Sequence, residues 1–261
     1  MRKGFTLVEL SIVLVIIGLL IGGILVAQSM ISTSKNQALV RQLGQFDVAV
    51  NNFNTAFGSL PGDSLTVMTS MTFMTGASAG LANRDGILNS HDGTVALFSG
   101  EMGSFWNALS LTGLTTKGAG LNGTTYVQSR TTPAVNLVTS GAGANIPVAV
   151  TGPTVGFVAF SDPGTATNWY AIVSTAEYTG SAFVDSTATN AALKPIDALA
   201  VDTKVDDGVA NTGNVRGGAT SVAGPAIAID ADCGAAAYLI TVTTPACVLA
   251  VRMGASGGVT Y

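Results

Sequence analysis

Lys3-Gly4-Phe5-Thr6-Leu7-Val8-Glu9-Leu10 opens an apolar stretch that runs on to Ala27, with Ser11 its one polar side chain beyond Leu10. From Gly4 to Ser34 the only charged residue is Glu9. Phe5 to Ala27 makes 23 residues, enough to cross a bilayer core at about 1.5 Å of helix per residue. The head before it, Met1-Arg2-Lys3-Gly4, is short and basic. A secretory signal peptide has an apolar region of about 7–15 residues followed by small residues at a cleavage site. This run is longer and lacks that site, so it reads as a retained anchor. Arg2 and Lys3 are expected to stay cytoplasmic and send the bulk of the chain outward.

Glu9 lies inside the apolar run. An ionised carboxylate there costs several kcal/mol, at the order-of-magnitude level, unless it is neutralised or paired. No basic residue lies within the run. The expectation is a partner from elsewhere, or a protonated acid.

The same eight residues resemble the processing motif of type IV prepilins and of the pseudopilins of type II secretion. The resemblance implies cleavage between Gly4 and Phe5 by a membrane-embedded prepilin peptidase, followed by N-methylation of Phe5. It also implies that Glu9 meets the positive N-terminus of a neighbouring subunit in a growing filament. Cleavage would leave nine basic against fifteen acidic side chains. Further along, Gly18 and Gly22 stand in G-x-x-x-G spacing, with Gly23 after them. That spacing puts two glycines on one helix face and permits close helix approach. In the family a segment of this helix can unwind inside the fibre, and Gly18 to Gly23 is where that is expected here. Many members carry a proline in this region; this chain has none.

Beyond Ala27 the sequence turns polar but keeps a helical pattern. Leu39, Leu43, Phe46, Val50, Phe53 and Phe57 recur at intervals of three and four, one apolar stripe along a helix. Gly58 and then Leu60-Pro61-Gly62-Asp63 end it. The organisation expected is a leader over residues 1–4, a membrane-spanning half-helix over 5–27, an amphipathic half-helix over 28–57 and a globular domain over 58–261.

The globular part holds most of the 32 glycines and is rich in Ala, Thr, Ser and Val. β-like runs fall at Val155 to Phe160, Trp169 to Ser174, Tyr238 to Val242 and Cys247 to Met253. Ser104 to Leu111 reads as a short amphipathic helix. The fold class expected is therefore α+β, with the long N-terminal helix against an antiparallel β-sheet. Three further pieces resemble larger pilin-like proteins: Leu60-Pro61-Gly62-Asp63, Glu101 through Leu114, and Asp202 through Gly208. Cys233 and Cys247 are the only cysteines. In an exported domain they are expected to form a disulfide.

Two loops concentrate oxygen ligands. One is Asp85 to Gly93, with Asn89 and Asp92; the other joins Asp202, Asp206 and Asp207 to Gly208. Such clusters suit calcium, though neither follows the EF-hand template. Asp and Asn in solvated turns, bonded to their own backbone, account for the same pattern. His91 is the single histidine and has no nucleophile motif or zinc spacing beside it. Asn122-Gly123-Thr124 fits a glycosylation sequon, a pattern frequent by chance.

Net charge is -4, the pI about 4.7 and the mean hydropathy +0.48. Cations are scattered singly, so binding to nucleic acid or to an anionic surface has little support. No catalytic constellation is present, and an enzyme is not expected. The function implied is structural: a type IV pilin or pilus-like subunit that self-associates into a helical filament with other pilins. Its processing partner would be the prepilin peptidase and its loading partner an inner-membrane assembly platform. A type II secretion pseudopilin, and an anchored extracytoplasmic binding module that never polymerises, are the alternatives. The expected location is the inner membrane before assembly, then a cell-surface or periplasmic fibre.

Overall fold

The structure is a computed structural model that describes residues 6–64, 67, 83–88, 100–114, 146–162, 165–174, 191–217, 233–234 and 236–256. Helix α1 spans Leu7–Phe57, 51 residues, about 75 Å at 1.5 Å per residue. Its start is a capping box: the Thr6 hydroxyl accepts the Glu9 N–H while the Glu9 carboxylate accepts the Thr6 N–H. Its end is Gly58, in the left-handed region at φ 67° with its N–H on the Asn54 carbonyl. Glycine takes that conformation without the Cβ penalty other residues meet.

Two helices and four strands complete the described fold. Helix α2 is Gly100–Leu111 and helix α3 is Pro195–Val205. Strands β1 (Val155–Asp162), β2 (Thr167–Ser174), β3 (Val215–Arg216) and β4 (Leu249–Arg252) form one antiparallel sheet in the order β1-β2-β4-β3. The β1–β2 hairpin runs in register from Val155 opposite Ser174 to Asp162 opposite Thr167. β4 returns beside β2, with Trp169 opposite Arg252. The α+β class and the antiparallel sheet expected from sequence are both present.

The apolar stripe of α1 is the seam of the domain. Leu39, Leu43, Val50 and Phe53 are fully buried, Phe46 nearly so and Phe57 partly. Each full burial contributes about 1.5–3 kcal/mol. Phe46 sits at the centre, edge-on to Trp106 of α2 at 4.7 Å and to Phe157 of β1 at 4.9 Å. Tyr170 of β2 lies 6.1 Å from it and stacks on Trp106 at 6.0 Å. One aromatic cluster thus joins the long helix, the short helix and both hairpin strands.

A polar clamp lies one residue further. Asp47 is buried on α1 and its two carboxylate oxygens accept the N–H groups of Gly254, at 2.9 Å, and Ser256, at 3.1 Å. The chain following β4 is thereby fastened to the helix. Burial pushes the Asp47 carboxyl up from its ordinary range, and these hydrogen bonds oppose the shift.

Two sequence expectations need correcting, and one helix goes beyond them. Tyr238 to Val242 is not a strand: Leu239 N–H goes to the Cys233 carbonyl, and Val242 N–H to that of Leu239. Leu239 and Ile240 are exposed, so local turn bonds override the β-prone composition. Helix α2 begins at Gly100, four residues before the expected start. Helix α3 was not anticipated, although Pro195 at its first turn and buried Ala198 and Val201 mark it.

Replacing Phe46 by Ala should cost about 3–5 kcal/mol of unfolding free energy. Val48→Ala, on the exposed side of the same turn, should stay within about 0.5 kcal/mol. Denaturant unfolding of the full chain in detergent, followed by tryptophan fluorescence, measures both.

Candidate functional site

The N-terminal half of α1 is unlike the rest. Every residue from Thr6 to Ile31 is exposed, and Leu7, Leu19 and Leu25 are 87%, 73% and 62% accessible. This segment has a mean hydropathy of 3.0 over its most apolar 18 residues and is long and apolar enough to cross a membrane. The described domain offers it no cover. Gly4 and Phe5, the expected processing residues, lie outside the described residues.

Glu9 is exposed on this apolar surface. Its carboxylate accepts two hydrogen bonds from Thr6, from the N–H and from the hydroxyl, both at 2.8 Å. Sequence alone points to a partner from elsewhere or to a protonated acid, and misses this local contact. The pattern Thr6-Leu7-Val8-Glu9 is a capping-box signature and could have shown this local contact. Both Thr6 groups are neutral, so they orient the carboxylate and leave its charge uncompensated. Gly18, Gly22 and Gly23 lie in unbroken helix. The expected unwinding is not seen in the single chain, where intrahelical hydrogen bonds continue through the glycines. A Cβ at any of the three would meet nothing within 4 Å, so none of them packs against this chain's own domain.

The acidic clusters are built differently. Asp202, buried on α3, accepts the Gly208 N–H at 3.1 Å and the Tyr238 hydroxyl at 2.9 Å. Asp206 accepts the N–H groups of Asn214 and Val215. Asp207 accepts the Val209 N–H at 2.8 Å and the Thr212 hydroxyl at 2.7 Å. Carboxylate oxygens of the three lie within 4.8 Å of one another. Protein donors already engage each of them, the arrangement of a turn held by its own backbone. Burial is the main reason the Asp202 carboxyl is pushed up to about 6, against the Tyr238 and Gly208 hydrogen bonds.

In the other loop Asp85 is described, while Asn89, His91 and Asp92 lie outside the described residues, as does Asn122. Sequence reading missed what holds this loop. Asp63, fully buried, accepts the N–H groups of Arg84 at 2.6 Å and Gly86 at 3.0 Å. Asn168 of β2 accepts from Leu88 and donates to the Gly86 carbonyl. Gly62, at φ 88°, stands so close to α2 that a Cβ would lie 2.3 Å from the Glu101 carbonyl oxygen. Leu60-Pro61-Gly62-Asp63 and Glu101, quoted above as separate motif pieces, therefore meet in space.

Cys233 and Cys247 are joined as a disulfide. Cys247 also pairs by backbone with Leu193, just before α3. The bridge closes a loop with a sequence separation of 14, worth about 3 kcal/mol on the chain-entropy account.

Residues 1–25 match the prokaryotic N-terminal methylation motif, the prepilin-type signal of type IV pilins and pseudopilins. The match covers the short basic head and most of the exposed apolar half of α1. No curated protein and no solved structure matches the chain significantly.

Asp202 sets a testable pH dependence. Its folded pKa is raised, so the folded state holds the proton longer than the unfolded state. Stability therefore falls as pH rises from about 4 to about 6 and levels off above that. Asp202→Asn should flatten this part of the profile in thermal melts from pH 4 to 7. Calcium titrated to millimolar levels should leave the melting temperature of the wild-type chain unchanged; a rise of several degrees that Asp207→Asn abolishes would show an ion in the Asp202 cluster.

Proposed function

We propose that this chain is the precursor of a structural filament subunit of the type IV pilus kind. It is held in the inner membrane by the first half of α1 and polymerises through that same half. The carrying observation is the exposed stretch from Thr6 to Ile31 with Glu9 as its only charge. Such a surface is stable only in lipid or against like helices. Moving it from one to the other requires no refolding of the domain, because the domain packs on the other half of the helix.

Burial against neighbouring helices supplies on the order of 25 cal/mol per Å² of whatever apolar area is withdrawn from water. Transfer out of lipid gains little of this, so packing and polar pairing decide the register. In this reading the prepilin peptidase cuts after Gly4, and the new amine of Phe5 in one copy meets Glu9 of the next. Thr6 holds that carboxylate in place before the amine arrives. Leaving one partner of such a pair buried alone costs about 3–5 kcal/mol. Gly18 and Gly22 offer a face without side chains where another helix can approach closely. The role is architectural and involves no catalysis and no cofactor. Other pilins and an inner-membrane assembly platform are the partners, and the domain lies on the extracytoplasmic side, where the disulfide is stable. A pilus and a secretion pseudopilus use the same helix chemistry; the genes beside this one separate them.

Glu9→Ala should abolish incorporation into sheared fibres while the outer domain keeps its wild-type melting temperature. Wild-type amounts of the variant in purified fibres would remove Glu9 from assembly. Mass spectrometry of the mature chain should find N-methyl-Phe5 at its start; an intact Met1 would favour a simple anchored module.

A further inference from the structure

A cavity of about 310 Å³ opens where α1 leaves its apolar half. Gln28, Ser32 and Lys35 of α1 line one side, and Lys194 and Asp197 at the start of α3 line the other. Its volume lies at the lower end of the range for small-ligand pockets. No run of cations in the sequence announces it, because Lys35 and Lys194 are far apart in the chain. The fold gathers them when Asp197 accepts hydrogen bonds from Ser32, at 2.7 Å, and Asn36, at 3.0 Å. The carboxylate at the cavity is thus turned onto α1, and the lining holds two lysines against this one acid.

Depth decides the occupant. The apolar run ends at Ala27 and the cavity begins at Gln28. At about 1.5 Å per residue, Gln28 to Lys35 covers about 10 Å of helix, slightly more than one polar headgroup layer. Ile31, 57% exposed, lines it, and Ile196, 53% exposed, lies between Lys194 and Asp197 in the chain; both are apolar side chains without a place in the core. A lipid headgroup offers what such a place lacks: an anionic phosphate for the two lysines and acyl chains beside the isoleucines.

We propose that this cavity binds the phosphate of an anionic phospholipid headgroup and so seats the domain on the bilayer. The inference rests on α1 spanning the membrane. Lysine is a point-charge phosphate binder, and the charge is poorly screened at the edge of a low-dielectric layer. Extraction into a filament would have to strip this lipid, which makes the contact a resistance to premature release.

The test uses the full chain in nanodiscs of equal parts phosphatidylglycerol and phosphatidylcholine, released for native mass spectrometry. Wild type should retain phosphatidylglycerol in preference to phosphatidylcholine. A Lys35→Gln, Lys194→Gln double variant should lose that preference by roughly tenfold, and Lys35→Arg, Lys194→Arg should restore most of it. The control pair Lys204→Gln, Arg216→Gln, away from the cavity, should keep it. Equal retention by wild type and the Gln double variant would overturn the proposal, and so would equal loss in the control. Displacement of the lipid by millimolar inorganic phosphate would reassign the site to free phosphate. Failure of the chain to enter nanodiscs at all would instead strike at the membrane-spanning reading, so the two failures are distinguishable. A melting temperature for each variant within a degree or two of wild type shows that the cavity, and not the fold, has changed.

Discussion

A single helix here has to satisfy two different surroundings, and everything else in the molecule follows from that division. The second half of α1 has one apolar stripe and finds its partner within the chain. The first half is apolar on every side and finds none. A helix that is hydrophobic all round is stable only when buried, in a membrane or among other helices. Because the helix is continuous from Leu7 to Phe57, its two halves are mechanically one rod. A pull or a turn applied to the first half of this unbroken rod is transmitted to the domain.

That transmission needs the domain to hold the rod firmly, and the packing is arranged to do so. Phe46 sits where α2, β1 and β2 converge, and its contacts with Trp106 and Phe157 are short and edge-on. One residue on, Asp47 captures two backbone N–H groups of the segment after β4. An apolar contact resists separation but slides easily; a buried carboxylate with two directed donors resists sliding as well. The aromatic cluster and the carboxylate together fix the helix in depth and in register. The Ser32 and Asn36 hydrogen bonds to Asp197 repeat the device nearer the exposed apolar half of α1.

Buried acids recur through the domain as organisers of loops. Asp63 holds the segment from Arg84 to Gly86, and Asp202 holds Gly208 and Tyr238. In each case the carboxylate is withdrawn from water and accepts N–H or O–H groups from chain that lacks regular structure. A domain rich in Gly, Ala, Ser and Thr has few large side chains with which to pin its loops. Directed hydrogen bonds to a small number of fixed acids serve that purpose at little cost in volume. The same burial raises the pKa of all three acids, Asp47 included, so each takes up a proton at a higher pH than a solvated aspartate does.

The long apolar half of α1, the stripe from Leu39 to Phe57, its stop at Gly58 and the methylation motif were all legible in the sequence. So were the two hairpin strands and the disulfide partners. Each rests on short-range periodicity, on a contiguous motif, or on there being only two cysteines. What the sequence hid were the encounters between residues far apart in the chain: Asp47 with Gly254, Asp63 with Gly86, Gly62 with Glu101, Ser32 with Asp197. A hydrophobic period says which face of an element is buried but not against what, and a lone Asp reads the same in a solvated turn as in a buried clamp. The Tyr238 to Val242 segment makes the point in reverse, its β-prone residues having been drawn into a turn by Cys233 and Asp202. Local pattern determined the helix and its division into an apolar half and a striped half. The pairing of distant strands and loops, whose closure entropy only the assembled core can offset, decided where the polar groups would meet.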